Sequence, residues 1–349
     1  MAELTLAPAP PAEARVRTSS GAFPSAAGRR RYFVWLGVMS LLGVAATFGI
    51  LAWDNPMPLG TEGFWLIGRM RATSVAVMLL VAAAQAIATV SFQTVTNNRI
   101  ITPSIMGFEA LYTLIQTTVV FFLGSAGIVA IQGTGQFLLQ VAAMVGFAAL
   151  LYGWLLTGRN ANVQLTLLVG IILGGAMGAA STFMRRLLSP SEFDLLTARL
   201  IGSVANADAA YLVPAVPLVL AAGGSLYVLS NRLNVLALGR DVAAGLGVEH
   251  LKWTMRVLLL VAVLMAVSTA LVGPMTFLGF LVAMIAYQLS DTYDHRYVLP
   301  LAVVIGYAVL TVAYFVVKHV FYTQGSVGIV IEIVGGTFFL IYLLRKGRL

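Results

Sequence analysis

The hydrophobic residues of the chain fall into ten long runs separated by short polar segments. The runs lie near residues 33–53, 73–95, 103–123, 136–157, 163–184, 208–230, 251–272, 276–290, 297–318 and 327–344. A bilayer core of about 30 Å requires roughly 20 apolar residues in one helix. The pattern therefore predicts an all-α polytopic membrane protein with about ten transmembrane helices.

Composition agrees with a membrane protein and narrows the possible chemistry. The chain is 60% hydrophobic and 10% charged, whereas a soluble domain carries about 25% charged residues. It has no cysteine, and its three histidines fall in or near three different loops. Neither a paired-histidine metal motif nor a phosphate-binding loop occurs. We expect no metal and no cofactor on this chain, and a membrane-embedded enzyme, which needs clustered acids, bases or ligands, is disfavoured.

Charge predicts the domain limits and the orientation. Residues 1–31 are rich in alanine, proline and serine and contain several arginines; we expect a disordered tail there and a transmembrane domain over residues 32–349. Because basic loops stay in the cytoplasm, the arginines of the tail, the loop around Arg240 and the basic C-terminal end predict that both termini are cytoplasmic.

Polar side chains inside the apolar runs are candidate functional residues. Gln85, Thr89 and Gln93 recur every fourth residue and share one helix face. They fit either a water-filled translocation path or hydrogen bonds that hold helices together. Glu109 and Glu332 are carboxylates within or near apolar runs, and they fit either functional groups or inward-facing anchors.

Five segments resemble, in order, segments of the permeases of iron-siderophore and cobalamin ABC importers, also called type II importers. They are FQTVTNNRIITPSIMG (92–107), LALGRDVAAGLGV (236–248), GPMTFLGFLVA (273–283), DHRYVLP (294–300) and VGIVIEIVGGTFFLIYLL (327–344). Departures occur at residues 98–102, at Ala283-Met284 and at residues 71–74. The resemblance covers the chain from about Arg71 to its C-terminal end, and it points to the ferric, often catecholate, siderophore branch.

The resemblance implies the permease subunit of an ABC importer in the bacterial cytoplasmic (inner) membrane. Its partners would be a second permease subunit, identical or different, two ATPase subunits that hold ATP and Mg, and an extracytoplasmic binding protein that delivers a ferric siderophore. The chain itself would be a translocation subunit rather than an enzyme. The alternatives are a self-sufficient, proton-coupled secondary transporter that uses Glu109 or Glu332, and a cobalamin- or haem-type ABC importer permease.

Residues 239–249 would form the coupling helix that meets the ATPase. The alanine-rich stretch favours a short helix, Asp241 suits its N-terminal end, and glycines can terminate it. The alternative is a solvated loop. The expected contacts with the ATPase are Arg240, Asp241, Ala243, Ala244, Leu246 and Gly247.

Two further sites follow from the resemblance and the topology. Asn160, Asn162 and Gln164 would form an inner gate of the translocation path, with an ordinary turn as the alternative. A basic external rim would dock the binding protein through complementary charge, with membrane-surface anchoring as the alternative. Its candidates are Arg71, Arg185, Arg186 and Arg199.

Overall fold

The structure, a computed structural model, describes residues 21–53, 55–58, 60–130, 133–157, 162–204, 207–321 and 326–346. This part of the chain contains α-helices and short 3₁₀ and π turns but no strand. The helices are α1 (Ala26–Ala52), α2 (Glu62–Val95), α3 (Phe108–Ala130), α4 (Thr134–Leu156), α5 (Val163–Arg186), α6 (Pro190–Leu200), α7 (Leu212–Val228), α8 (Ser230–Leu236), α9 (Arg240–Gly245), α10 (His250–Val272), α11 (Leu278–Ser290), α12 (His295–Phe315) and α13 (Val327–Lys346).

The predicted spans are confirmed as helices. Seven stretches are long and apolar enough to cross a membrane, and three shorter apolar helices, Phe108–Gly124, Leu278–Ser290 and Val327–Ile341, correspond to the remaining runs. A helix the length of α11 spans only about 20 Å at 1.5 Å per residue. This length is less than the bilayer core of about 30 Å.

The tail ends earlier than the sequence predicts. Residues 1–20 lie outside the described residues, but α1 begins at Ala26, so the expectation of disorder up to residue 31 is wrong for its last part. Ser25 caps the helix by accepting a hydrogen bond from the Gly28 amide at 3.1 Å. The Tyr32 hydroxyl donates to the Tyr297 carbonyl at 3.0 Å, and Phe23 packs edge-on against Tyr297. These contacts fix the start of α1 on the beginning of α12.

Helices α2 and α10 form the centre of the bundle. The most apolar window of each is 72% and 67% buried within the chain, whereas that of α1 is 17% buried. α2 packs against α10, α12, α7 and α11, and its buried stretch runs from Val77 to Val95. The outer helices expose apolar side chains that require lipid or a partner chain.

The loops form two opposite faces. The face we call the α9 face holds α8, α9, the first turns of α10 and residues 96–102, 157, 162 and 291–294. The opposite α6 face holds α6 and residues 187–204, 207–211, 273–277, 321 and 326. On the α6 face the Ser203 amide donates to the Val272 carbonyl at 2.8 Å. The N-terminal end of α6 is closed by a capping box, in which Ser189 and Glu192 bond each other's backbone.

Candidate functional site

The expected short helix is present on the α9 face. α9 spans Arg240–Gly245 and begins after Gly239, whose φ is 90°. Gly247 follows with φ 74°. Both angles lie in the left-handed region, which favours glycine. The Val248 amide donates back to the Ala243 carbonyl at 2.9 Å, so the chain reverses at once into α10. Two glycines and this hydrogen bond therefore delimit a short, six-residue helix between α8 and α10.

One of the residues expected to contact the ATPase does not lie on the exposed side of α9. Ala243 is fully buried against the body of the chain, so its expected place in an ATPase groove is wrong. Residues spaced by one turn share a helix face, and the outward positions are instead Val242 and Leu246, which are 51% and 59% exposed. Arg240, Asp241, Ala244 and Gly247 are exposed as well.

A groove of about 760 Å³ runs beside α9. Arg240, Ala244, Val248, Met255 and Arg256 are among the residues that line it. The Lys252 ammonium, which also lines it, lies 2.5 Å from the Glu249 carboxylate. The lining therefore combines apolar side chains with three basic ones, a surface suited to a partner with acidic and apolar side chains.

A buried polar network joins α8, directly before α9, to the core. The side-chain oxygen of Asn234 accepts from the backbone N–H of His295 at 3.0 Å and lies 2.6 Å from His295 Nδ1. Since a backbone N–H can only donate, this oxygen is an acceptor and Nδ1 carries the proton. His295 Nε2 lies 2.7 Å from the Thr94 hydroxyl of α2, which also lies within hydrogen-bond distance of the Val90 carbonyl at 2.7 Å. One histidine thus joins α8 and α2 to the start of α12.

Asp294 extends this network to the surface. Its carboxylate accepts from Asn234 Nδ2 at 3.0 Å and pairs with Arg296 at 2.6 Å. Partial burial raises the pKa of Asp294, but the hydrogen bonds from Arg296 and Asn234 outweigh it and hold the pKa below its ordinary value. The D-H-R stretch noted in the sequence is therefore a structural hub. Sequence reasoning missed its partners Asn234 and Thr94 because they lie on other helices.

The polar stripe of α2 lies inside the chain. Gln85, Thr89 and Gln93 are each at most 2% exposed. Gln85 donates to the Ser268 hydroxyl at 3.1 Å, and Gln93 donates to the Arg99 carbonyl at 2.8 Å. Only the first of these contacts joins two helices, because Arg99 lies in the loop after α2. The Thr89 hydroxyl and Gln93 Oε1 have no partner among the described residues, so the role of the stripe stays a prediction.

The expected gate residues lie beside α9. Asn160 lies outside the described residues. Asn162 caps α5 by accepting from the Gln164 amide at 2.8 Å, and both side chains are exposed. A cavity of about 220 Å³ separates them from Thr96, Asn97 and Arg240. The end of α2, the start of α5 and α9 therefore meet at one point, and the gate stays a prediction.

The two membrane carboxylates differ in setting. One oxygen of Glu109 accepts from the Thr276 hydroxyl at 2.6 Å, and the other has no partner among the described residues. Glu332 is exposed on α13 between apolar neighbours. A carboxylate facing hydrocarbon is costly, so the Glu332 face of α13 requires water or a partner chain.

The four arginines proposed for docking have different roles in the structure. The Arg71 guanidinium donates to the Ile50 and Trp53 carbonyls at 3.0 and 2.7 Å, and it thereby closes the end of α1. Arg185 donates to Thr182 at 3.3 Å on its own helix. Arg186 is exposed and Arg199 is partly exposed. Docking by these residues stays a prediction.

A second polar cavity, of about 340 Å³, lies in the α6 face. Side chains of α3, α4, α6 and the segment before α7 line it, among them three glutamines, Gln116, Gln136 and Gln140. Sequence reasoning missed them, although Gln136 and Gln140 are four residues apart at the start of an apolar run and therefore share a helix face.

Metal ligands are not clustered in the described part of the chain, where no three histidine, aspartate or glutamate side chains come together. Ten apolar helices, a rigid helix projecting from one face and a buried polar hub define a polytopic membrane permease.

The chain belongs to the FecCD transport family, whose profile matches residues 35–346. Petrobactin import system permease protein FatC of Bacillus anthracis is 47% identical to it over 331 residues, which cover 95% of this chain and 94% of that protein. Petrobactin import system permease protein YclO of Bacillus subtilis is 34% identical and covers 88% of this chain and 94% of that protein. The family expected from the sequence is thus confirmed.

A solved structure shows the same fold. A metal-chelate type ABC transporter in an inward-facing conformation superposes with a TM-score of 0.77 at 21% identity, covering 89% of this chain and 98% of that one. The expectation of an ABC permease fold with about ten membrane helices is therefore confirmed.

Proposed function

We propose that this chain is one permease subunit of an ABC importer that moves a ferric siderophore into the bacterial cytoplasm, with the α9 face in the cytoplasm. The observation that carries the proposal is α9 itself, a rigid turn that exposes Val242 and Leu246 and stands on helices tied to the core. An apolar, anchored projection suits transmission of force from a nucleotide-driven partner. Because this chain lacks a phosphate-binding loop, ATP and Mg belong to that partner.

Charge supports the orientation. The α9 face carries a concentration of basic side chains that includes Arg99, Arg232, Arg240, Lys252 and Arg256. Acidic side chains such as Glu192 and Asp208 stand among the arginines of the α6 face. Basic loops remain on the cytoplasmic side. Both termini are therefore assigned to the cytoplasm, and α6 is assigned to the side on which a binding protein would deliver the chelate.

The relatives suggest both the substrate and the second permease. Two of them are petrobactin permeases, so a ferric petrobactin-like chelate is the first substrate to test. In Bacillus anthracis, FatC and FatD are both petrobactin import permeases, and this chain is 47% identical to FatC but 25% identical to FatD. A FatC-like chain would pair with a FatD-like partner, and the exposed Glu332 face of α13 is available for such a contact.

The proton-coupled alternative makes a different prediction. If Glu109 carried protons, Glu109→Gln would abolish uptake. In an ATP-driven permease the same substitution should keep ATP-dependent uptake, because the glutamine side-chain oxygen can still accept a hydrogen bond from the Thr276 hydroxyl. Loss of uptake in a folded Glu109→Gln variant, with no requirement for ATP in the parent chain, would favour the secondary transporter.

The test of the proposed function is reconstitution. The chain is co-expressed with its neighbouring permease, ATPase and binding protein, and ferric petrobactin-stimulated ATP hydrolysis and uptake are measured in proteoliposomes. Cobalamin and haem serve as competing substrates. ATP-independent uptake, or stimulation by cobalamin or haem alone, would overturn the assignment.

A matched pair of variants tests the role of α9. Ala244→Arg places a bulky charge on the exposed side of α9, and we expect the ATPase to be lost on purification. Ala198→Arg makes the same change on exposed α6, on the opposite face, and should retain the ATPase. Equal recovery of ATPase with both variants would contradict the coupling role.

A further inference from the structure

Two arginines are held against one tryptophan on the α9 face. The guanidinium carbon of Arg232 in α8 lies 5.2 Å from the centroid of the Trp253 ring, and that of Arg256 in α10 lies 4.6 Å from it. Cations at such distances are attracted to the face of an aromatic ring. We call these three residues the Arg–Trp cluster. It gathers two positive charges from two helices beside a single indole.

The two charges of the Arg–Trp cluster have no carboxylate partner in the part of the chain that the structure describes. The ion pairs found there join Lys252 to Glu249 and Arg296 to Asp294. Both arginines of the cluster are exposed, and Trp253 is half-buried. Each guanidinium carries five N–H donors in a planar fork that matches the oxygens of a phosphate. The cluster is therefore open to an external anion.

The cluster lies where two membrane helices lose their apolar character. α7 ends at Val228, which is 81% exposed, and Arg232 follows four residues later. In α10, Arg256 directly precedes the apolar stretch VLLLVAVLMAV (257–267). α7 and α10 pack against each other, so both arginines stand at the same end of a neighbouring helix pair. Tryptophan is enriched at this level of a membrane, and basic pockets between membrane helices bind lipid head groups.

We propose that the Arg–Trp cluster binds the phosphate of an anionic phospholipid, whose acyl chains lie along α7. Leu220, Gly224 and Val228 recur every fourth residue, share one face of α7 and are exposed. Arg232 is the next residue in this series, so an apolar surface leads up to a charged one. A zwitterionic lipid fits less well, because its own cation would lie beside the two arginines.

A lipid fits the cluster better than the acidic side chains of a partner protein. Arg256 also lines the groove beside α9, but it lies six residues beyond His250, roughly 9 Å further along α10 towards the apolar stretch. The assignment of the lipid to the cytoplasmic leaflet rests on the orientation proposed above. The binding itself does not.

Phosphatidylglycerol is the probe, and phosphatidylcholine with the same acyl chains is the matched control lipid. Each is titrated into the full-length chain in detergent micelles, and the bound lipid is counted by native mass spectrometry. We expect phosphatidylglycerol to bind at least about fivefold more tightly. Glycerol phosphate, which has the head group without the chains, should not displace it. Equal affinity for the two lipids, or displacement by glycerol phosphate, would overturn the lipid site.

Single substitutions locate the binding. Arg232→Gln and Arg256→Gln should each weaken phosphatidylglycerol binding about fivefold, the effect of one basic residue near an anionic lipid surface. Lys252→Gln removes the same charge from an exposed position of α10, but the Lys252 ammonium already pairs with Glu249 at 2.5 Å. It should therefore change the affinity by less than about twofold. An equal loss in all three variants would mean a general effect of surface charge and would refute the site.

Trp253 is a positioning residue in this proposal. Trp253→Phe keeps an aromatic face for the two cations and should keep the affinity for phosphatidylglycerol. Trp253→Leu removes that face and should weaken binding about two- to fivefold. Both variants are compared at equal folded fraction by thermal unfolding. Equal affinities of the two would contradict the role of the ring.

Recovery of the ATPase and uptake separate this proposal from its alternatives. If Arg232→Gln and Arg256→Gln keep the parent affinity for phosphatidylglycerol but lose the ATPase on purification, the cluster contacts a protein and the lipid site is wrong. If phosphatidylglycerol binds through the cluster while the reconstituted complex fails to import the ferric chelate, the proposed function is wrong and the lipid site stands.

Discussion

Asn234→Ala should disconnect α8, and with it α9, from the core. In the structure the Asn234 oxygen serves two donors of His295, its backbone N–H and its Nδ1–H, and the Asn234 amide serves Asp294. Removal of the side chain leaves both histidine donors without an acceptor in a residue that is 4% exposed. His295→Leu would remove the ring but would keep the backbone N–H satisfied by Asn234.

The magnitude follows from the desolvation penalty. An unsatisfied buried polar group costs about 1–3 kcal/mol. Two such groups are left in Asn234→Ala, and water reaches them in part because Asn234 itself is half-buried. We therefore expect the free energy of unfolding to fall by about 2–4 kcal/mol. Asn231→Ala, on the same helix at an exposed position, should cost less than about 0.5 kcal/mol. The pair is compared by thermal unfolding in detergent.

The number of chelates imported per ATP hydrolysed provides the second measurement. Three residues separate α8 from α9, so a loosened α8 should transmit less of any movement that the proposed ATPase partner imposes. We expect Asn234→Ala to keep ATP hydrolysis but to import fewer chelates per ATP, while Asn231→Ala retains the parent ratio. Equal unfolding temperatures and equal ratios for the two variants would refute the role of the network.

Gly174→Ala should destabilise the permease by about 1–3 kcal/mol, because the added Cβ would lie 3.0 Å from the Cα of Gly107. Gly175→Ala is the control, because a Cβ at that position would meet nothing within 4 Å. Thermal unfolding of both alanine variants checks this, and an equal effect would contradict the close packing. Since the chain has no cysteine, Ser191→Cys on α6 should react with an impermeant thiol reagent in intact cells and Ala237→Cys beside α9 should not. The reverse pattern would invert the orientation.

The sequence predicted most of the fold because membrane helices carry their signal locally. Apolar runs located the spans, and the family resemblance of residues 236–248, with its alanine-rich stretch and terminating glycines, located α9. The start of α1 could not be predicted in this way, because Tyr32 and Phe23 are ordered by Tyr297, 265 residues or more away in the chain. Contacts between distant residues of this kind are not present in any local window of sequence.

The candidate site was less predictable than the fold. The spacing of Gln85, Thr89 and Gln93 correctly predicted that they share one face of α2. It did not predict what this face contacts, because the same spacing is compatible with a water-filled path and with a contact between helices. Ala243 was misassigned because alanine is compatible with either side of α9. Only the position of α9 over α10 decides which residues point outward, and a single sequence does not contain that geometry.

The positions of α9 and of the two cavities suggest how one subunit could work as a lever. α9 contacts α8 and α10. α8 is joined through His295 to α2 and α12. α2 and α10 form the centre of the bundle and extend to the α6 face. At that face, residues at the C-terminal end of α10, Leu271 and Val272, line the polar cavity of about 340 Å³. Close-packed helices shift as whole bodies rather than bending freely. We therefore expect a displacement of α9 to change the shape of this cavity through α10 itself, with no additional element needed to transmit the movement. A ligand of this cavity and a nucleotide on the partner ATPase should therefore be thermodynamically linked, and by reciprocity each should alter the affinity of the other by the same factor.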